Sequence, residues 1–147
     1  MASESIETAK VLAQLDRILE LELAGVVRYT HYSFMVQGFG RIPLVSWLRS
    51  QADESMLHAH EAGELITQLD GEPSLSIGPL LDTHTHDTGK ILQESLQHES
   101  NATQSYVDLL TLVKDKSIML EEYATRMISD ETRHAGDVRK MLLPPND

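Results

Sequence analysis

The chain has 147 residues, no cysteine and a formal net charge of −11 at pH 7, a size that fits a single domain over residues 1–147 with one sizeable core. Without cysteine there are no disulfides, thiolate nucleophiles, iron–sulfur clusters or thiolate zinc sites, so a transition metal must be held by His, Asp and Glu, a set that suits iron, manganese or zinc. The acidic balance argues against nucleic acid, whose phosphates need a concentrated basic surface; it attracts cations, or simply keeps the protein soluble.

The opening residues Met1–Ile6 (MASESI) carry no basic start and no apolar run after it, which excludes a secretory leader. No apolar stretch approaches the ~18 to 20 residues that span a bilayer. A soluble, cytoplasmic protein is expected, with no membrane partner. Val, Thr and Tyr never cluster into alternating runs, so strands have little support.

Gly and Pro divide the chain into four segments, roughly 5–37, 43–70, 87–114 and 117–142. Gly38, Gly40 and Pro43 close the first. Gly71, Pro73, Gly78 and Pro79 mark the second break. A softer break falls at Lys114–Ser117, where Ser117 is suited to N-cap a new helix. Each segment carries an apolar stripe spaced alternately by four and three, the mark of helices packed at shallow angles. The first stripe is Val11, Leu15, Ile18, Glu22, Gly25, Tyr29, Tyr32, Val36; the second is Leu44, Leu48, Gln51, Ser55, His58, Ala62, Leu65, Leu69. The third is Leu92, Leu96, Glu99, Thr103, Tyr106, Leu110, Val113; the fourth is Leu120, Ala124, Met127, Glu131, His134, Val138, Met141. The spacing predicts an all-α four-helix bundle. The segment 71–86 is long enough to run the length of that bundle, which makes the second and third helices parallel.

Five residues break the stripes near the middle of their helices: Glu22, His58, Glu99, Glu131 and His134. An unpaired carboxylate in such a slot costs several kcal/mol or stays protonated. Two readings account for all five: a polar layer satisfied by its own hydrogen bonds, or a metal centre. Glu131 and His134 (ETRH) are three residues apart and share one helix face, so they can serve one ion. An internal repeat favours the metal: a lone Glu22 is followed after 36 residues by His58, and a lone Glu99 after 35 residues by His134. Helical bundles that hold two metals take a Glu from each of two helices and a Glu-x-x-His from each of the other two.

With those residues in view the chain resembles bacterioferritin over nearly its whole length. The strings ELAGVVRY (22–29), DESMLHAHEAGELI (53–66), LQHESNA (96–102) and SDETRHAGDV (129–138) are similar to the corresponding family segments. The resemblance implies a ferritin-like bundle in which Glu22, His58, Glu99, Glu131 and His134 are metal ligands, the Glu-x-x-His carboxylates bridging two irons. The chain departs from the pattern at Ser55, where the family has the second bridging Glu. Glu54, one residue earlier, either swings in as a substitute ligand or is a solvated flank. Met56 stands where the family's haem-ligating methionine lies between two subunits, although a Met on a bundle helix is more often packing. The chain stops 13 residues after His134, so the family's short fifth helix is not expected, nor a complete storage cage.

The expected activity is oxidation of Fe(II) by O₂ or peroxide, with two irons per subunit, for storage or detoxification. The rivals are a di-metal oxidase or peroxide scavenger that stores no mineral, and a degenerate, non-enzymatic metal-binding bundle. A homo-oligomer of at least two copies is expected from the apolar breadth of the first two helices. Tyr29 either hydrogen-bonds a ligand carboxylate or packs in the core, and Trp47 is a core or dimer-contact residue. His84 and His86 are read as solvated loop histidines, and His31, His60 and His98 as surface or interface residues.

Overall fold

The computed structural model describes residues 5–145; Met1–Glu4, on which part of the leader reading rests, lie outside the described residues. Four helices follow one another: α1 (Thr8–Met35), α2 (Arg41–Gln68), α3 (Thr88–Val113) and α4 (Ile118–Leu142). Among the described residues there is no strand and no fifth helix. No helix is long and apolar enough to cross a membrane.

Local chemistry sets the helix ends. Asp87 caps α3 by accepting from Lys90 N at 2.9 Å, and Ser117 caps α4 by accepting from Leu120 N at 3.3 Å, each satisfying an amide that the first turn leaves without a partner. Asp70 takes a left-handed conformation (φ 62°) and turns the chain so that Gly71 N reaches Ile66 O at 2.9 Å, closing α2. α2 starts two residues earlier than the sequence suggests, because Pro43 fits within a first helical turn whose amides have no partners to lose.

The crossover after α2 travels alongside α1. Ser74 N donates to Asp16 Oδ1 (2.8 Å), Gly78 N to Glu20 O (2.8 Å) and Gln37 N to His86 O (3.3 Å), so the loop climbs in the same direction as α1. A Cβ at Gly78 would stand 2.9 Å from Glu20 O, which is why only glycine lets the strap lie so close. The climb brings α3 back down antiparallel to α1, parallel to α2, as the length of the loop implies. α1 packs on α2 and α3, and α3 on α4.

The core is interrupted. One apolar cluster holds Val11, Leu15, Ile18, Leu65, Leu109, Leu120 and Met127 among others. A smaller one holds Tyr29, Tyr32, Val36, Leu48, Ala52 and Ile91. Between them lies a layer of Glu22, Ser55, His58, His98, Glu99 and Glu131, all buried. On α3 the buried face is wider than the expected stripe and includes Ile91, Ser95, His98, Ala102, Ser105 and Leu109; at the end of α4, Met141 is exposed.

Candidate metal centre

The polar layer draws on every helix. α1 contributes Glu22, α2 His58, α3 Glu99, and α4 Glu131 and His134. Because Glu131 and His134 are one turn apart, both side chains point inward, while antiparallel α1 and α2 bring Glu22 level with His58. Glu22, Glu99 and Glu131 are 2%, 4% and 3% exposed. Charges so deep cost several kcal/mol each unless partnered.

Donor atoms fall into two triads, each with its ligand atoms within 4.8 Å of one another: Glu22, His58 and Glu131, and Glu99, Glu131 and His134. Glu131 belongs to both. His58 Nδ1 lies 3.0 Å from Glu22 Oε2 and 3.3 Å from Glu131 Oε1, and His134 Nδ1 lies 3.9 Å from Glu131 Oε2. The sequence-predicted residues Glu22, His58, Glu99, Glu131 and His134 therefore meet in one layer. Glu54 is outside both triads. Half exposed, it faces the opposite ring nitrogens, His134 Nε2 at 3.2 Å and His58 Nε2 at 3.7 Å.

Two tyrosines back the carboxylates. Tyr29 OH donates to Glu99 Oε1, and Tyr106 OH donates to Glu22 Oε2 at 2.5 Å. Burial and the neighbouring carboxylates push both phenols well above their ordinary range, so they remain donors. Tyr123 packs edge-on against Tyr106, with ring centroids 6.0 Å apart. Of the open choices for Tyr29, the structure shows the hydrogen bond together with packing against Tyr32 and Trp47. The Tyr106–Glu22 bond went unread in the sequence, although Tyr106 stands on the third stripe two turns from Glu99.

Without a cation the layer holds protons. Burial opposes charging of His58, but hydrogen bonds to Glu131 and Glu22 outweigh it and lift the imidazole to about 10. Burial alone would raise Glu131; bonds with Glu99, His134 and His58 instead hold it well below the carboxylate range. Glu99 is pushed well up by burial and by sharing a proton with Glu131, and Glu22 is raised by burial. Among the described residues, two buried side-chain oxygens, Glu99 Oε2 and the Tyr123 hydroxyl, have no hydrogen-bond partner. The unpartnered Glu99 oxygen beside converging triads of hard donors fits a cation of the iron, manganese or zinc kind.

Two expectations change. His98, read as a surface residue, is 3% exposed; burial and then Arg28 push it down to about 4. Met56 is exposed on the outer face of α2 and not packed in the core. His60, His84 and His86 are exposed, as expected, and His31 is half-buried against His84 and the carbonyl of Thr83.

The family model described as a ferritin-like domain matches residues 12–143. Among solved structures, a ferritin-like, diiron-carboxylate protein from Bacillus anthracis str. Ames aligns over 95% of this chain and 100% of its own, with 23% identity and a TM-score of 0.83. A dodecameric thioferritin, the bacterioferritin-related protein of Bacteroides fragilis, aligns over 94% of this chain and 87% of its own, with 19% identity and a TM-score of 0.85. At these identities the likeness is one of fold. No curated protein sequence matches the chain significantly.

Proposed function

The chain belongs to the ferritin-like domain family, and from that premise we propose that it binds two Fe(II) ions per subunit in the buried layer and oxidises them with O₂ or peroxide, for iron storage or detoxification. The observation that carries this reading is the sharing of Glu131 between the two donor triads. One carboxylate common to both holds two cations a few ångströms apart, as a two-electron oxidant requires. Iron there supplies the redox chemistry, and hard anionic oxygens favour the ferric state.

The protein's own residues do the rest. Glu22 and His58 take one cation, Glu99 and His134 the other, and Glu131 both. The protons held by His58 and shared between Glu99 and Glu131 leave as cations bind, so affinity rises with pH. Tyr29 and Tyr106 fix the rotamers of Glu99 and Glu22 by donating to one oxygen of each and leaving the other for the metal. Glu54, at the rim, faces both imidazoles on the side of their outer nitrogens, while each Nδ1 faces the carboxylate layer.

The absence of a carboxylate at Ser55 favours a second reading on the same site: oxidation of iron, or consumption of peroxide, without a mineral store. Anaerobic loading with Fe(II) followed by O₂ or peroxide tests the chemistry, with ferric absorbance appearing at two irons per chain. Protein that binds Fe(II) but stays colourless with both oxidants is the non-enzymatic, metal-buffering bundle. Assembly size separates the first two readings, because a store needs a closed shell.

A dimer is the proposed minimum assembly. Val27 and Phe34 on α1 and Met56 and Leu57 on α2 are exposed apolar side chains, and symmetric pairing through these helices would cover them. Met56 would then meet its counterpart, the position from which a haem would be ligated. A Soret band on adding haemin, abolished by Met56→Leu, tests that role.

A further inference from the structure

We propose that His98 is an additional metal ligand, an imidazole standing in for the carboxylate that Ser55 does not provide. The proposal rests on the two-metal reading above and extends it to a residue outside both triads.

The geometry starts from Gly25. It lies one turn beyond Glu22 on α1, as Ser55 lies one turn before His58 on α2, and the antiparallel helices bring the two level. A Cβ built on Gly25 would stand 2.8 Å from Ser55 Oγ and 2.8 Å from His98 Nε2. Three helices thus converge on one point with a polar atom from two of them. α3 packs on α1 and α4 but not on α2, so His98 reaches the Ser55 slot by crossing the bundle interior over the bare backbone of Gly25. Any larger residue at 25 would block that path.

His98 is buried, 3% exposed, and its ring meets Tyr29 edge-on at 6.0 Å. A buried imidazole needs a polar partner; a cation in the same layer would provide one. Ser55 is too short and too weak a donor to do so alone, and its hydroxyl leaves the space that the imidazole tip occupies.

The exchange has a chemical consequence. A carboxylate offers two oxygens and can join two ions, whereas a neutral imidazole offers one lone pair and serves one. With His98 in place, Glu131 is the sole bridge and the two cation positions are unequal, one richer in nitrogen.

Titration of the full chain with Co(II), followed by calorimetry and by visible absorption, tests this. The wild type should bind two ions in distinguishable steps. His98→Leu fills the same space without a donor; one step should weaken about 100-fold, at least the loss seen for ligand-supporting residues, with helicity unchanged. His98→Gln should do the same. Gly25→Ala keeps the imidazole but forces it away, and should lose the same step. Ser55→Glu alone would collide with His98, while Ser55→Glu with His98→Leu should restore the lost step. If His98→Leu and Gly25→Ala both bind two Co(II) as tightly as the wild type, His98 only fills space. A wild-type chain that takes no Co(II) removes the two-metal reading itself, and this proposal with it.

Discussion

Glu54 and His134 meet across the rim of the bundle, Oε2 to Nε2 at 3.2 Å, on the side of the ring away from Glu131. His58 presents its Nε2 to the same carboxylate at 3.7 Å. One carboxylate thus faces both imidazoles from outside. Glu54→Ala should leave two metal positions but weaken both about 10- to 100-fold, and Glu54→Gln, which still accepts from an Nε2–H, should recover part of the loss. Calorimetric titration with Zn(II) reads both values. Loss of a whole metal equivalent in Glu54→Ala would make Glu54 a ligand.

In the metal-free protein His58 and His98 should contribute to the pH dependence of stability with opposite signs. His58 has a folded value of about 10 against 6.5 for a free imidazole; a raised value contributes stability that is complete below pH 6.5 and lost as pH rises through 10. His98 is shifted the opposite way, to about 4, so its contribution is complete above pH 6.5 and lost as pH falls through 4. Thermal melts in chelator, wild type beside variant, isolate each contribution from that of the raised Glu22 and Glu99. His98→Leu should flatten the acid limb and leave the alkaline limb in place. An unchanged acid limb would mean that other groups set it.

Association through the outer face of α1 and α2 is open to a direct test. Phe34 and Leu57 are 63% and 65% exposed, and covering them removes apolar surface from water at roughly 25 cal/mol per Å². Light scattering at micromolar concentration should give a dimer or a multiple of it, and Phe34→Glu with Leu57→Glu should give a folded monomer. A monomeric wild type would end the proposal.

Much of this was legible in the sequence because charge in an apolar stripe is conspicuous. Glu22, Glu99 and Glu131 each stand where the spacing calls for Leu or Ala, and each is buried. The parallel course of α2 and α3 followed from the length of the crossover. His98 falls outside the α3 stripe that runs from Leu92 through Glu99 and Tyr106 to Val113; Ile91, Ser95, Ala102, Ser105 and Leu109 repeat beside it at helical spacing and mark a second buried row. Their small size was the available signal, since short side chains on a helix let a partner or a large neighbour come close. The reach of Glu54 was beyond a helical-wheel argument, which gives direction around the axis but not the extension of a flexible side chain toward two histidines on different helices.

The central claim is a two-cation centre joined by Glu131, and anaerobic Fe(II) titration calorimetry of the wild type beside Glu131→Ala tests it most directly. Glu131 serves both triads, so the wild type should bind two Fe(II) per chain and Glu131→Ala none, with helical content preserved in the variant. Glu22→Ala, which touches one triad, should keep a single equivalent. A wild type that takes up no Fe(II), or a Glu131→Ala variant that titrates like the wild type, would contradict the account.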